Sequence, residues 1–435
     1  MIQLMKWFVK STIREARYTV KKLGAFCLIS CLVSVLFFSC KKDPTNQVVI
    51  WTDQQLFVSY AELFNASQDE VKAVVLYKER PVDALPPAKD EQVPDIIVGS
   101  WLRNENSIRY FRPLDSLFGD ELIDSSIFYP QLFQYGNQDD NQYFLPVSFN
   151  LPAVIFSKKH EDMIPEDFIL TTDQIRDTAA LFNKQNDSGI YTSMGFAPSW
   201  DPEFLYLIAR LKETNFRPFN NNFLWNSENL EDTVSYIKYW TETYNTSVQA
   251  EQDYEFKYLY TPPIKQIIAD SCLFAYTTSA QIFSASEEDL QQIDFRWIHK
   301  DNNLPVEEDM LLLGIYKKAS NFLGAETFIS WLMKEETQQE IMTRMDSMNL
   351  NISHFGIAGG FSAIRSVNEI IFPQHYKILL GNIPAAEYIQ PPTPLPSQWK
   401  NIKNQIINPW IQDAVAGKTE NSIEVLFDEW AKRIH

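Results

Sequence analysis

The sequence predicts an α/β protein of two lobes, joined by hinge crossovers and separated by a cleft. Three observations predict it. The chain has 435 residues, more than one compact core normally serves. Residues 48–77 run strand, helix, strand, the βαβ order that argues for a parallel sheet. Residues 142–159, QYFLPVSFNLPAVIFSKK, are the most apolar run outside the N-terminus and are interrupted by Pro146 and Pro152. Proline removes a ladder donor and biases its predecessor to extended structure. The run therefore reads as two short extended segments meeting at Ser148, Phe149 and Asn150, a first crossing between lobes.

The elements follow in order. VVIWTD (48–53) begins as a buried strand and ends polar. AELFN (61–65) lies in a helical stretch with Leu56, Tyr60, Leu63 and Phe64 near one face, and VKAVVLY (71–77) returns as a β-branched strand. Residues 79–93 are charged and proline-rich, a surface loop. PDIIVGSW (94–101) is a further buried strand that opens into a loop at Gly99 and Ser100. Ligands of such sheets collect at the carboxyl ends of the strands, which places Trp51, Asp53, Ser100 and Trp101 at that edge. Downstream, Leu230, Val234, Ile237, Trp240 and Tyr244 make one helical stripe. Ala325, Phe328, Ile329, Leu332 and Met333 make another, with Ser320 as its expected N-cap. IQPPTPLP (389–396) is a polyproline-like connector, and 398–415 and 420–434 read as two closing helices. Trp240, Trp331, Trp410 and Trp430 fall on helices and are assigned to packing.

The formal charge is −18, and it becomes −23 once residues 1–40, with six bases and one acid, are set aside. Such a surface repels phosphate backbones and argues against nucleic acid as a partner. Lys6, Lys10, Arg14, Arg17, Lys21 and Lys22 precede an uncharged run from Leu23 to Phe38, the pattern of a signal peptide over residues 1–40. The run ends in Leu36-Phe37-Phe38-Ser39-Cys40, which resembles a bacterial lipobox with Cys40 as the lipidated residue. An uncleaved single-span anchor is the alternative. Both place the bulk of the chain outside the cytoplasm and tethered to a membrane, in the periplasm or on the cell surface. Cys27 and Cys31 would leave with the signal, so Cys272 is the remaining thiol and no intramolecular disulfide is expected.

The order VVIWTD, AELFN, VKAVVLY, PDIIVGSW, RPLDSLF (112–118) and QYFLPVSFN resembles the extracellular solute-binding proteins of bacterial ABC importers, the family 1 proteins that include maltose-binding protein. GFAPSWDPEFLYLIARL (195–211), ADSCLFAYTTSAQIF (269–283), FRWIHKDNN with LLLGIYKKASNFLGAETFISWL (295–332) and FGIAGGFSAIRSV (355–367) continue the likeness. The resemblance covers residues 47–435 and rests on the order of many weak motifs. It implies the two-lobed periplasmic-binding-protein fold. One lobe would comprise 41–149 plus 310–346 and the other 150–309 plus 347–435, with crossings near 146–150, 300–309 and 346–354. It also implies capture of a small polar solute, a carbohydrate first, by hinge closure and its delivery to ABC permease subunits. The rival reading is a surface lipoprotein of the same fold that binds a macromolecule, as an adhesin or sensor.

Catalytic signatures are missing. The five histidines show no HExxH or paired spacing, there is no GxSxG elbow, and FGIAGG lacks the Gly-Lys-Ser/Thr of a phosphate loop. No cofactor or metal and no enzymatic activity are expected, although a carboxylate pair of glycosidase type cannot be located from sequence. Recognition chemistry remains: planar side chains for apolar C–H faces, and carboxylates or amides for hydroxyls. The expected ligand-binding residues are Trp51, Asp53 and Trp101 in the first lobe and Asn150 at the crossing. Trp200, Asp201 and Tyr276 come from the second lobe, and Gly359, Gly360 and Phe361 from the late glycine loop. Each has a plainer role. Trp51 and Trp101 could plug the sheet end, Asp53 could cap the next helix, Asn150 could satisfy hinge backbone, Tyr276 could be core, and the glycines could make a turn. Trp200, between Pro198 and Pro202 in a loop, is the strongest choice.

Overall fold

The computed structural model describes residues 46–119, 122–220, 222–350 and 353–434. Cys40 and the basic and apolar runs before it lie outside the described residues, and within these no helix is long and apolar enough to cross a membrane.

The strands that organise the fold are β1 (Gln47–Thr52), β2 (Lys72–Tyr77), β3 (Ile96–Gly99), β4 (Leu145–Phe149), β5 (Pro152–Ser157), β6 (Ile169–Leu170), β7 (Ala275–Thr278), β8 (Ile293–Ile298), β9 (Leu304–Pro305), β10 (Leu311–Ile315), β11 (Phe361–Ser362) and β12 (Ile389–Gln390). The first lobe holds a six-stranded sheet in the order β11-β4-β10-β3-β1-β2, and the second a four-stranded sheet in the order β7-β5-β8-β6. Strands β3, β4, β5 and β10 are buried throughout, which is why they read as continuous apolar runs rather than as alternations.

Register places the future site. β1 and β3 are parallel, with Ile50 opposite Ile96. β10 is antiparallel to both β3 and β4, and β11 is antiparallel to β4, with Phe361 opposite Phe149. The carboxyl ends of β1, β3 and β4 and the amino ends of β10 and β11 therefore share one edge. A buried carboxylate fixes the layer behind this sheet. Asp95 Oδ2 accepts from Val49 N (2.9 Å), and its Oδ1 accepts from Ser320 N (2.7 Å) and Asn321 N (2.8 Å). Ser320 is thus held by Asp95 and does not cap the helix Phe322–Leu332; Asn321 does, accepting from Gly324 N at 3.0 Å.

The second lobe is built from the aromatic-rich half of the chain. The helices Pro202–Leu211 and Ser227–Tyr244 bring Phe204 and Trp240 together edge-on at 5.9 Å. Trp399 and Phe427 from the last helices join the same core. The Leu230–Tyr244 stripe buries Leu230, Ile237 and Trp240 as its spacing predicts.

Three crossings connect the lobes. In the first, β4 gives way to β5 at Asn150 and Leu151; Pro152 can open β5 because a first strand residue can dispense with its N–H. The second is 299–310, where β9 pairs in parallel with β12. The third differs from the expected 346–354. β11 still belongs to the first sheet, and beyond it Asn382 O accepts from Trp297 Nε1 of the second sheet (2.8 Å). Residues 361–362, allotted to the second lobe from sequence, are an edge strand of the first. A two-residue strand offers no alternation to read. Around it, Phe283 of the second lobe packs on Phe355 (centroids 4.6 Å apart), Tyr376 (5.7 Å) and Phe361 (6.1 Å), an aromatic seam between lobes.

Candidate functional site: the inter-lobe cleft

The shared edge of the first sheet presents Asp53 after β1, Ser100 and Trp101 after β3, and Asp309 just before β10. Ser100 Oγ donates to Asp309 O at 2.7 Å, which locks two of these loops together. Asp53 does not cap the following helix: the cap position is Gln55, which makes no side-chain bond, and Asp53 Oδ1 accepts from Gln54 Nε2 (2.9 Å). Partial burial raises the Asp53 pKa, and the charge of Asp309 adds to the rise. Asp309 is reached by solvent yet ringed by protein; desolvation raises its pKa, partly offset by Lys403 and Lys400. Trp101 has φ 64°, a left-handed conformation costly for a bulky residue. Asn104 Nδ2 holds its carbonyl at 3.0 Å, and its half-buried indole packs against the second lobe's core.

The second lobe carries a cavity of about 210 Å³ lined by Trp200, Asp201 and Tyr276, three of the residues expected from sequence. Tyr254, Glu255 and Tyr258, which sequence reasoning missed, line it as well. Trp200 stacks on Tyr254 (5.8 Å, 18°) and donates its indole N–H to Glu251 O (3.2 Å). The Glu251 carboxylate beneath is fully buried and accepts from Ser199 Oγ (2.5 Å) and Asn245 Nδ2 (2.8 Å). Asp201 is the N-cap of Pro202–Leu211 and accepts from Glu203 N (2.8 Å). Burial pushes its carboxyl up to about 6, the cap bond pulls it down, and Glu203 raises it further. Tyr276 is 8% exposed and its hydroxyl reaches Glu307 Oε1 at 3.5 Å.

Between the two halves lies an acidic triplet at the second crossing, Glu307-Glu308-Asp309, also missed from sequence. Its signal was there: three consecutive acids directly before a buried strand. Glu307 N donates to Asn150 O (2.8 Å), tying the second crossing to the first. Burial raises the Glu307 carboxyl to about 7 despite the pull of Arg210. Glu308 faces the second lobe and is almost fully enclosed, accepting from Tyr206 Oη (2.5 Å), Trp399 Nε1 (2.8 Å) and Lys403 Nζ (3.1 Å). Lys403 also pairs with Glu203 at 2.6 Å.

Five expected ligand residues are engaged within the protein itself. Trp51 is wholly buried, its ring covered by Lys78 Nζ at 4.5 Å, because both faces of β1 are packed. Asn150 is consumed by the hinge: Nδ2 donates to Gly359 O (3.0 Å) and Oδ1 accepts from Ser279 Oγ (2.6 Å). Gly360 packs so closely on the first crossing that a Cβ there would sit 2.6 Å from Phe149 O, and Gly359 supplies the positive φ of 85° that the turn needs. Phe361 is 1% exposed and stacks on Phe372 in the aromatic seam. Among the described residues no group of three or more His, Cys, Asp or Glu is placed to hold a metal ion. Cys272 is buried, and its thiol is pushed up to about 12 by desolvation.

Two α/β lobes, three crossings and a cleft floored by the crossings define the fold of the two-lobed solute-binding proteins. Solved structures of that class superpose on the chain. The sugar-binding protein MalE from the phytopathogen Xanthomonas citri does so with a TM-score of 0.66 at 11% identity, over 89% of this chain and 96% of that one. The family 1 extracellular solute-binding protein from Alicyclobacillus acidocaldarius gives 0.60 at 14% identity, over 89% and 97%. The cyclic alpha-maltosyl-1,6-maltose binding protein from Arthrobacter globiformis gives 0.59 at 14%, over 89% and 97%. At these identities the likeness carries the fold. No family model and no curated protein matches the sequence.

Proposed function

We propose that the protein is the solute-binding component of an ABC importer, capturing a small polar solute, a carbohydrate first, between its lobes. The observation that carries this reading is convergence. Ser100 at the first sheet's edge is tied to Asp309 of the second crossing, the same crossing's Glu307 is reached by Tyr276, and Tyr276 lines a second-lobe cavity with Trp200 and Asp201, which supports a site between Asp53, Trp101 and Asp309 on one side and that cavity on the other. A solute that touches both sides favours the closed arrangement by its extra contacts there, and the closed form would be the one a permease reads. Proteins of this fold hold mannotriose or maltotriose, which supports a sugar. Each cleft group named has a binding use, and the reading asks no covalent chemistry of any of them. Lipidation at Cys40 would tether the protein outside the cytoplasm, within reach of the permease.

The test is the unfolding temperature of the full-length protein against mono- and oligosaccharides, polyols, amino acids and peptides. A solute bound only to the folded form at about 100 times its Kd adds roughly 2.7 kcal/mol, a readily measured shift. A shift with one solute class is the expected result. No shift with any small solute would move the protein to the macromolecule-binding reading.

A further inference from the structure

The cavity in the second lobe has a composition that a neutral sugar does not require. Its walls are aromatic, with Trp200, Tyr254, Tyr258 and Tyr276, and its two charged groups are both carboxylates, Asp201 and Glu255; no Lys, Arg or His lines it. Glu255 is half-buried, and among the described residues its carboxylate has no hydrogen-bond or ion-pair partner. The neighbouring cations are engaged elsewhere. Lys257 donates to Tyr191 O (2.8 Å) and lies over the Tyr254 ring at 5.0 Å without lining the cavity, which leaves Trp200, Tyr258 and Tyr276 as the free rings; Lys265 pairs with Asp289 (2.6 Å), and Lys403 bridges Glu203 and Glu308. At the second crossing, Asp309 feels Lys403 and Lys400, of which Lys403 is already bridged by Glu203 and Glu308. Aromatic faces with carboxylates and no cation in the lining are what an organic cation needs: the ring quadrupoles attract it and the carboxylates neutralise it. A hydroxyl needs neither the excess charge nor so many rings.

We propose that this cavity is a subsite for an ammonium group, so that the solute carries a positively charged amine. The inference rests on the solute-binding reading and narrows it. Two sources share that chemistry, an amino sugar and a sugar-free amine, and 210 Å³ accommodates either one sugar ring or a small alkylammonium. The groups facing Asp201 are Glu203 and Lys403 beside its own helix, Glu255 from the helix Val248–Phe256 side, and Tyr276 from β7. Binding of a cation is therefore expected to weaken as pH falls through about 6, where Asp201 takes up a proton.

The experiment titrates the full-length protein with glucosamine and with N-acetylglucosamine, which has the same skeleton without the charge, and with choline and putrescine. Each probe is read by unfolding temperature at low and high salt and at pH 5 and 8. The expected result is a larger shift with amine-bearing probes than with the neutral one, shrinking with salt and at pH 5. Asp201→Asn keeps a cap acceptor, and Glu255→Gln disturbs no bond; each should lower amine affinity about tenfold. A shift with glucosamine alone assigns the amino sugar, and a shift with choline or putrescine alone assigns the sugar-free amine. Equal shifts with N-acetylglucosamine, insensitive to salt, overturn the ammonium subsite and leave the solute-binding reading standing. No shift with any of the four overturns the ammonium subsite, while the wider solute panel decides the binding reading separately.

Discussion

Glu308→Ala is expected to cost about 3–5 kcal/mol of stability, read as a lower midpoint in denaturant unfolding with an unchanged slope. The carboxylate accepts from Tyr206, Trp399 and Lys403, and its side chain is only 4% exposed. Its removal leaves two neutral donors unmatched and strips Lys403 of one of its two partners inside the protein, where an uncompensated charge is far more costly than at the surface. Lys403 keeps Glu203, so Glu203→Ala alone should cost less, because Glu203 is 39% exposed and water replaces it. Glu308 joins the second crossing to the helices of the second lobe, so its loss should also loosen the floor of the cleft. An Ala variant as stable as the parent would show that the hub does not hold this crossing.

Glu251→Gln should stabilise the protein in alkaline solution by about 3 kcal/mol and leave it nearly unchanged in acid. Burial pushes the Glu251 carboxyl up to about 7, against the hydrogen bonds from Ser199 and Asn245. The folded pKa lies above the unfolded one, about 4.3 for a free glutamate, so between those values the native state holds the extra proton. The contribution to stability is complete below the unfolded pKa and is lost as pH rises through the folded one. Glutamine stays neutral and removes that loss. Denaturant unfolding of both proteins at pH 4 and pH 8 checks it; equal pH dependence in the two would mean that Glu251 is ionised without penalty. Asp201 and Glu307 shift in the same direction, so the variant should keep a shallower slope of the same sign.

The parts of the fold that were legible in sequence are those whose signal is local. The β1, β3, β4 and β5 strands are continuous apolar runs, the prolines mark the first crossing, and the strand ends put Asp53 and Trp101 at the carboxyl edge of the first sheet. Trp200 stood out because two prolines keep it off any α-helical stripe; it ends the single 3-10 turn Pro198–Trp200. Long-range partnerships were not legible. The three side chains that bind Glu308 are 102, 91 and 95 residues away in sequence, and nothing near Glu308 announces them. Trp51 was misplaced for a different reason. A strand packed on both faces gives no alternation, so whether its last aromatic looks into the cleft or into the core cannot be read from its neighbours. Asn150 and Gly360 lie where they were expected, at a crossing, but their bonding capacity and close packing serve the hinge itself. The late edge strand β11 was too short to read, which displaced the third crossing.

The central claim is that one solute touches both lobes. Once the panel identifies that solute, its titration by calorimetry into the parent protein, Trp101→Ala and Trp200→Ala tests the claim most directly. Trp101 comes from the first lobe and Trp200 from the second, so a ligand held between them should lose about tenfold or more in affinity in each variant. Loss in Trp200→Ala alone, with Trp101→Ala binding as the parent does, would place the solute on one lobe and contradict the account.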